Sequence, residues 1–176
     1  MRAFIAFELP QRFVDDTARL ARRLSAVVPG RFMPPENYHV TIAFLGDIGE
    51  ADARSAIDAL DAACADLGPI SCAATGLGKF GRASDATLWL GIAQTPDLMD
   101  AAAHVRDRLR DHGLAFDAKP FMPHITLARR VRIPRTGLDG LAFPEPCELA
   151  RVTLFKSTLD QMGATYKPLY TAKLVG

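Results

Sequence analysis

Two five-residue segments of the chain share one pattern of residue types. Residues 39–43 read His-Val-Thr-Ile-Ala, and residues 124–128 read His-Ile-Thr-Leu-Ala. An imidazole has an unperturbed pKa of about 6.5, so of two imidazoles in one site one can accept a proton while the other donates one. Threonine hydroxyls beside them can donate hydrogen bonds to the oxygens of an anion. The repeat therefore predicts acid–base catalysis at a phosphoryl group by two pairs, His39 with Thr41 and His124 with Thr126.

The same segments do not have the pattern of a metal site or of a cofactor site. Their His-x-Thr spacing differs from His-x-His and from His-Glu-x-x-His, and neither segment contains a carboxylate. The glycine-rich stretch 76–81 lacks the spacing of a phosphate-binding loop. The three cysteines include no Cys-x-x-Cys pair, which argues against a zinc site and against a disulfide framework. We therefore expect neither a metal nor a cofactor.

Both segments lie in stretches that read as β-strands, and strand geometry predicts which way their side chains point. Successive side chains alternate between the two faces of a strand. Strict alternation places Ile42 and Phe44 toward the core. It places Thr41 and Ala43 on the opposite face beside the histidine, where the small alanine leaves room for a ligand. The second segment gives the same arrangement with Ala128, and an approximate two-fold relation between the segments would bring both His-Thr pairs to one cleft.

The remaining sequence predicts strands and helices in irregular alternation, with several strand pairs joined by short turns. This pattern favours an α+β fold with antiparallel sheets over a doubly wound parallel sheet. No linker or low-complexity segment divides the chain, so we expect a single domain over residues 1–176 with two lobes that carry one motif each. The expected strands are residues 2–9, 38–45, 70–80, 86–92, 122–130, 147–157 and 166–174, and the expected helices are residues 10–28, 50–67 and 96–112.

The composition indicates a globular protein whose charges nearly balance. The 176 residues include 21 Lys and Arg against 20 Asp and Glu, a formal net charge of +1. This balance argues against a broadly basic nucleic-acid coat, so an anionic ligand must be held by a local site. No stretch approaches the roughly 20 apolar residues that span a bilayer, and the apolar run 3–7 is too short for a signal peptide. A soluble, cytoplasmic monomer without a membrane partner is the expectation.

Longer segments around the motifs carry a family resemblance. Residues 1–10, 35–46 and 119–129 resemble the 2H phosphoesterase superfamily, and so does the ending from Leu154 to Tyr166. Within that superfamily the similarity is to the bacterial and archaeal RNA 2′,3′-cyclic phosphodiesterases, historically called 2′-5′ RNA ligases, and it covers essentially the whole chain. The resemblance implies a bilobal, duplicated fold of antiparallel sheets flanked by helices, with the active-site cleft between the lobes.

The resemblance also implies a reaction, the hydrolysis of an RNA 2′,3′-cyclic phosphate end to a 2′-phosphate. His39 would donate a proton to the departing 3′-oxygen, and His124 would accept a proton from water. Thr41 and Thr126 would hold the non-bridging phosphate oxygens. The partner would be RNA with a 2′,3′-cyclic phosphate terminus, with tRNA fragments as one source. The reverse reaction, 2′-5′ ligation, would be the weaker activity.

Several further residues are candidates for contacts to the RNA. Arg129 and Arg130 follow the second motif and could hold phosphates, with a solvated loop as the equal alternative. Phe80 and Phe121 could stack a terminal base or belong to the core, and Lys156 could contact the substrate. Two other functions stay open at this point. One is a 2H phosphodiesterase acting on a small cyclic nucleotide or a 2′-5′ oligoadenylate, and the other is an RNA-end-binding protein without turnover.

Overall fold

The computed structural model describes the whole chain from Met1 to Gly176. It contains three α-helices, one short 3-10 helix and ten β-strands. The helices are α1 (Gln11–Ser25), α2 (Glu50–Ala65) and α3 (Pro96–Asp111), and the 3-10 helix is Pro35–Asn37. The strands are β1 (Arg2–Phe7), β2 (Arg31–Phe32), β3 (Val40–Asp47), β4 (Ile70–Cys72), β5 (Ala74–Arg82), β6 (Asp85–Ile92), β7 (His124–Val131), β8 (Cys147–Leu149), β9 (Arg151–Asp160) and β10 (Gly163–Lys173).

Local sequence signals explain where the helices begin and what they bury. Pro96 starts α3, where its missing N–H costs no helical hydrogen bond, and Thr95 Oγ1 accepts from the Leu98 N–H at 3.3 Å. The apolar stripe of α1 faces the core, with Phe13 and Leu24 buried. Helix α2 packs against β9 and β10, and α3 packs against β3. No helix has both the length and the apolar character needed to cross a membrane.

The strands form two four-stranded antiparallel sheets and a separate pair. The first sheet has the order β10-β9-β1-β3, so it holds both ends of the chain together with the first motif. The second sheet has the order β2-β7-β6-β5 and holds the second motif. Strands β4 and β8 pair only with each other. This arrangement confirms the predicted α+β fold of antiparallel sheets flanked by helices.

One apolar core joins the two sheets. A single cluster of 41 buried residues includes Ile5 and Ile42 of the first sheet and Leu90 and Ile125 of the second. Burying a large aliphatic side chain of this kind stabilises a fold by about 1.5–3 kcal/mol. Shared packing therefore fixes the two sheets relative to each other, and with them the two motifs.

Two expected strands are divided in the structure. The stretch 70–80 is interrupted at Ala73, because β4 pairs with β8 whereas β5 pairs with β6. The stretch 147–157 is interrupted in the same way at Ala150, where the chain leaves β4 and joins β1. Both interruptions fall at a single alanine, a residue type that gives no local signal for the end of a strand. The sequence pattern also gives no signal for β2, which has only two residues and pairs with β7.

Candidate active site

Register shifts interrupt both strands that carry the motifs, two in each strand, and in each the shift next to the motif is a β-bulge. In β3, the register against β1 shifts by one residue at Ile42. In β7, the register against β6 shifts by one residue at Leu127. Both residues stand three positions after their motif histidine. Because a bulge bends a strand and re-aims the side chains that follow it, the two strands leave their motifs with the same change of direction.

The bulges reverse the alternation of side chains beyond the motifs, so the prediction for Phe44 and for the two alanines is wrong. Ala43 and Ala128 are buried, at 1% and 0% exposure, and point to the same side as the bulge residues before them. Phe44 is instead 54% exposed and lines the cleft. Arg129 lines the cleft from the equivalent position of β7. The fifth residue after each histidine therefore faces the cleft, where strict alternation predicts the fourth.

The cleft between the sheets brings both His-Thr pairs together. It has a volume of about 630 Å³, and His39, Thr41, His124 and Thr126 all line it. Pockets for small ligands typically have volumes of about 300–1,000 Å³. The four side chains precede the bulges, so they keep the face that alternation predicts for them.

Two hydrogen bonds fix the imidazole of His39. Its Nδ1 lies 2.6 Å from the carbonyl oxygen of Asn37, which can only accept, so Nδ1 carries the proton of that bond. Its Nε2 lies 2.7 Å from Thr41 Oγ1 and accepts from that hydroxyl when the ring is neutral. Asn37 is itself held, because its Nδ2 donates to the Ala164 carbonyl oxygen at 3.0 Å. The ring therefore presents Nε2, and not Nδ1, to the cleft.

Aromatic rings surround His39 and change its protonation. The rings of Phe4 and Tyr166 lie 4.8 Å and 5.3 Å from the imidazole, centroid to centroid. Burial is the main cause that lowers the pKa of His39 from 6.5 to about 4. The electrostatic influence of the neighbouring His124 and Arg129 acts in the same direction. In the free protein at pH 7 the His39 imidazole is therefore neutral.

The imidazole of His124 makes the same backbone hydrogen bond as that of His39 but has different neighbours. Its Nδ1–H donates to the Met122 carbonyl oxygen at 2.7 Å, two residues back as in the first motif, and its Nε2 has no protein partner. The ring meets the edge of Phe80 at 5.2 Å and lies 5.9 Å from Trp89. A Cβ atom added to Gly78 would come within 2.1 Å of the Trp89 ring. The glycine thus makes room for the indole that supports His124.

Comparisons with known proteins agree with this geometry. The family model of the 2′-5′ RNA ligase superfamily matches residues 30–160. An RNA 2′,3′-cyclic phosphodiesterase of Thermotoga maritima is 31% identical over 183 residues, which cover 100% of this chain and 97% of the relative. The chain belongs to the 2′-5′ RNA ligase superfamily. Among solved structures, a protein of Thermus thermophilus has a TM-score of 0.83 at 22% identity, over 99% of this chain and 98% of that one. Apo LigT of Escherichia coli has a TM-score of 0.77 at 25% identity, over 98% and 96% of the two chains.

In this member of the superfamily, positive charge is concentrated in the cleft. Arg2, Arg106, Lys119 and Arg129 line it, against a single carboxylate from Asp117. The whole chain has a formal net charge of only +1. The cleft is therefore a local site that attracts anions in a chain whose charges nearly balance. No three His, Cys, Asp or Glu side chains meet in a group that could hold a metal ion.

Arg106 of α3 links the first motif strand, β3, to the segment that leads into the second motif strand, β7. Its Nε–H donates to the Ile42 carbonyl oxygen and its Nη1–H to the Lys119 carbonyl oxygen, both at 2.9 Å. The rings of Phe116 and Phe121 lie 5.5 Å and 6.0 Å from its guanidinium carbon. Burial is the main cause that lowers the pKa of Arg106. The guanidinium thus attaches the segment that leads into β7 to the bulge of β3.

The structure brings some of the predicted RNA contacts to the cleft and leaves others outside it. Arg129 and Phe121 line the cleft. Arg130 does not, because its backbone has a φ of 55° and its Nη1 pairs with Asp85 Oδ2 at 3.1 Å. Lys156 lies in β9, half-buried, and is also outside the cleft lining. Arg129 and Arg130 are adjacent in the sequence, but one faces the cleft and the other pairs with Asp85 outside it.

Several residues that shape the site carry no local signal in the sequence. Phe4 encloses His39, and Arg106 links β3 to the segment that leads into β7, but neither stands near a motif in the sequence. The exposure of Phe44 to the cleft could have been inferred from the second motif. Strict alternation from Ile125 would have sent Arg129 into the core, and a charged residue there would have indicated the bulge.

Proposed function

We propose that this protein hydrolyses the 2′,3′-cyclic phosphate end of RNA to a 2′-phosphate, with the two motif imidazoles as acid and base. The observation that carries the proposal is a pair of His-Thr units on equivalently bulged strands that line one cationic cleft. The name of the Thermotoga maritima relative, whose similarity spans the whole chain, supports the same substrate class.

In the proposed reaction, water attacks phosphorus and the bond from phosphorus to the ribose 3′-oxygen breaks. His124 Nε2, which has no protein partner, takes the proton of the attacking water. His39 gives a proton from Nε2 to the departing 3′-oxygen. The hydroxyls of Thr41 and Thr126 donate to the non-bridging oxygens, where charge accumulates in the transition state. The products are a 2′-phosphate and a 3′-hydroxyl.

The role of His39 requires a proton that its Nε2 lacks in the free protein. Burial holds the pKa of His39 at about 4, but an anionic phosphodiester beside the ring favours the charged form and raises the pKa. On this proposal the substrate itself drives protonation of Nε2. The Thr41 hydroxyl, which donates to Nε2 at 2.7 Å in the free protein, then turns to a phosphate oxygen. The Thr41 hydroxyl thereby donates to His39 Nε2 in the free protein and to the phosphate in the complex.

Replacement of each motif histidine tests the mechanism. The substrate is a short oligoribonucleotide with a 2′,3′-cyclic phosphate end, and His39→Ala and His124→Ala are compared with the wild type. Each variant should lose about 10²–10⁴-fold in kcat, the usual contribution of a positioned acid or base. His112→Ala is the matched control, because His112 bonds to the Arg108 carbonyl oxygen at the end of α3, outside the cleft.

The position of the phosphate in the product distinguishes this activity from related reactions that open the same ring. A 2′-phosphate end supports the proposal, and a 3′-phosphate end contradicts it because the other bond to phosphorus has broken. Full activity in both histidine variants would refute two-histidine catalysis. Binding of the oligonucleotide without any ring opening would favour an RNA-end-binding protein instead.

A further inference from the structure

Two of the three cysteines face each other in the small sheet formed by β4 and β8. Cys72 is the direct partner of Cys147 in this antiparallel ladder, a contact that their spacing along the chain does not show. Cα atoms of direct partners lie about 4.5 or 5.5 Å apart, depending on the kind of pair. Both distances fall within the window of about 4.4–6.8 Å that a disulfide allows. The backbone therefore already holds these two residues at the spacing of a disulfide.

The side chains of the two cysteines also lie on the same face of the sheet. Ser71 and Glu148, the neighbouring pair of the ladder, are both exposed to solvent. Alternation along each strand therefore turns both cysteines to the opposite face, where the Cβ atoms of direct partners are about 4.5–5.5 Å apart. A disulfide needs about 3.5–4.5 Å. The change is roughly 1 Å, and β4 and β8 are bound to no other strand that would resist it.

The two thiols differ in their access to solvent and in their acidity. Cys72 is 2% exposed, whereas Cys147 is half-buried. The Cys72 thiol lowers the pKa of Cys147 because it can donate a hydrogen bond to the thiolate, and the same interaction raises the pKa of Cys72. The thiolate is the reactive form of cysteine. Cys147 is therefore the thiol that an oxidant reaches first, and Cys72 is the thiol beside it that can react with the product.

We propose that Cys72 and Cys147 are a redox-sensitive pair that closes to a disulfide when the protein meets hydrogen peroxide. The Cys147 thiolate attacks one peroxide oxygen and the O–O bond breaks. Cys147 becomes a sulfenic acid, and the departing hydroxide takes the thiol proton and leaves as water. The Cys72 sulfur then attacks the Cys147 sulfur, the S–O bond breaks, and the hydroxyl leaves with the Cys72 proton as a second water. The two thiols lose two electrons and two protons in all, and the peroxide takes up both.

The position of the pair in the fold determines what the disulfide holds together. Ala73 connects β4 to β5 of the second sheet, and Ala150 connects β8 to β9 of the first sheet. A bond between the two short strands therefore joins the two sheets covalently, at a place outside the cleft lining. It closes a loop between positions 75 residues apart (147 − 72). A disulfide across so long a loop restricts the unfolded chain strongly, so oxidation should raise the thermal stability of the fold.

Mass spectrometry of the full chain tests whether the bond forms. The reduced protein is exposed to hydrogen peroxide, unfolded, and treated with an alkylating reagent that marks every free thiol. Without peroxide the wild type should carry three labels, one on each cysteine. After peroxide it should carry a single label, on Cys64, and release a fragment in which residues 72 and 147 are linked by a bond that dithiothreitol cleaves. Cys64→Ala is the matched control, because it removes the other buried thiol and should leave the bond intact.

Single replacements within the pair test the order of the two steps. Cys72→Ala leaves Cys147 without its partner, so a sulfenic acid should accumulate there and be trapped by dimedone. Cys147→Ala should give far less trapped product, because the remaining Cys72 thiol is buried. Equal trapping in the two variants would contradict the assignment of Cys147 as the thiol that reacts first.

Thermal unfolding measures the effect of the bond on the fold. The oxidised wild type should unfold roughly 5–15 °C above the reduced protein, and Cys147→Ala should show no such gain after the same treatment. Three labels on the peroxide-treated wild type, or a bond that includes Cys64 or joins two molecules, would overturn the proposal. Equal unfolding temperatures of the oxidised and reduced wild type would show that the bond does not hold the two sheets together. All of these measurements are independent of catalysis, so they test the pair whether or not the protein opens a cyclic phosphate.

Discussion

The buried imidazole of His39 should make the stability of this fold depend on pH. The folded protein holds the pKa of His39 at about 4, whereas the unfolded chain exposes the ring at its ordinary value of 6.5. Above pH 6.5 the ring is neutral in both states. Between pH 6.5 and 4 the unfolded chain binds a proton that the folded protein excludes, so the free energy of unfolding falls as the pH falls through this window.

The size of the loss follows from the two pKa values. Each pH unit between 6.5 and about 4 contributes about 1.4 kcal/mol, so acidification from pH 7 to pH 4 should cost about 3 kcal/mol. A domain of ordinary stability has about 5–15 kcal/mol in total. A single aromatic pocket around one ring therefore accounts for a substantial part of the acid sensitivity.

Urea unfolding at pH 7 and pH 4 measures this effect. Carboxylates also titrate in this range, so the comparison is with His39→Asn, which keeps a polar side chain but has no group that titrates there. The wild type should lose about 3 kcal/mol more than this variant. His112→Asn serves as the control for removal of a histidine and should behave as the wild type. Equal losses in the wild type and in His39→Asn would show that the pocket does not hold the ring neutral. Nitrogen NMR of the ring gives a second check, because at pH 6 it should report a neutral imidazole protonated on Nδ1.

Two further perturbations test how the site is held. Arg106→Met removes the bonds to the carbonyl oxygens of Ile42 and Lys119, so the free energy of unfolding should fall by about 2–4 kcal/mol. The kcat should fall as well, because β3 loses its link to the segment that leads into β7. An unchanged urea unfolding curve would contradict the link. Gly78→Ala puts a methyl group within 2.1 Å of the Trp89 ring, so the indole must move, with a cost of about 1–3 kcal/mol and a change in tryptophan fluorescence. An unaltered emission spectrum would show that the Trp89 ring does not move, which would contradict the prediction.

The motifs could be predicted from the sequence because each is local. An imidazole, an apolar residue and a threonine in a strand need only the two-residue period to reach one face. The bulge could not be deduced from the first motif alone, since Ile42, Ala43 and Phe44 are all apolar and fit either register. The second motif breaks that ambiguity, because Arg129 cannot share the core face with Leu127.

The surroundings of the site depend on contacts that no local pattern encodes. Arg106 lies 64 residues from Ile42 and 13 from Lys119 along the chain, and on the surface of α3 it reads as one more basic residue. The ring of Phe4 belongs to an alternating strand with aromatic residues on both faces, so its place beside His39 depends on which face meets the cleft. The packing of the first sheet against the rest of the fold decides that question.

The contacts made by Arg106 and Asp117 also matter for the solubility of the chain. Strand β3 is an outer strand of its sheet, and an outer strand with free carbonyl oxygens can pair with a second molecule and start aggregation. Two of these oxygens, on Ile42 and Phe44, are already occupied by the Arg106 side chain and the Asp117 N–H. Helix α3 and the segment that leads into β7 thus cover the open side of β3, and loss of either contact would expose a template for intermolecular pairing.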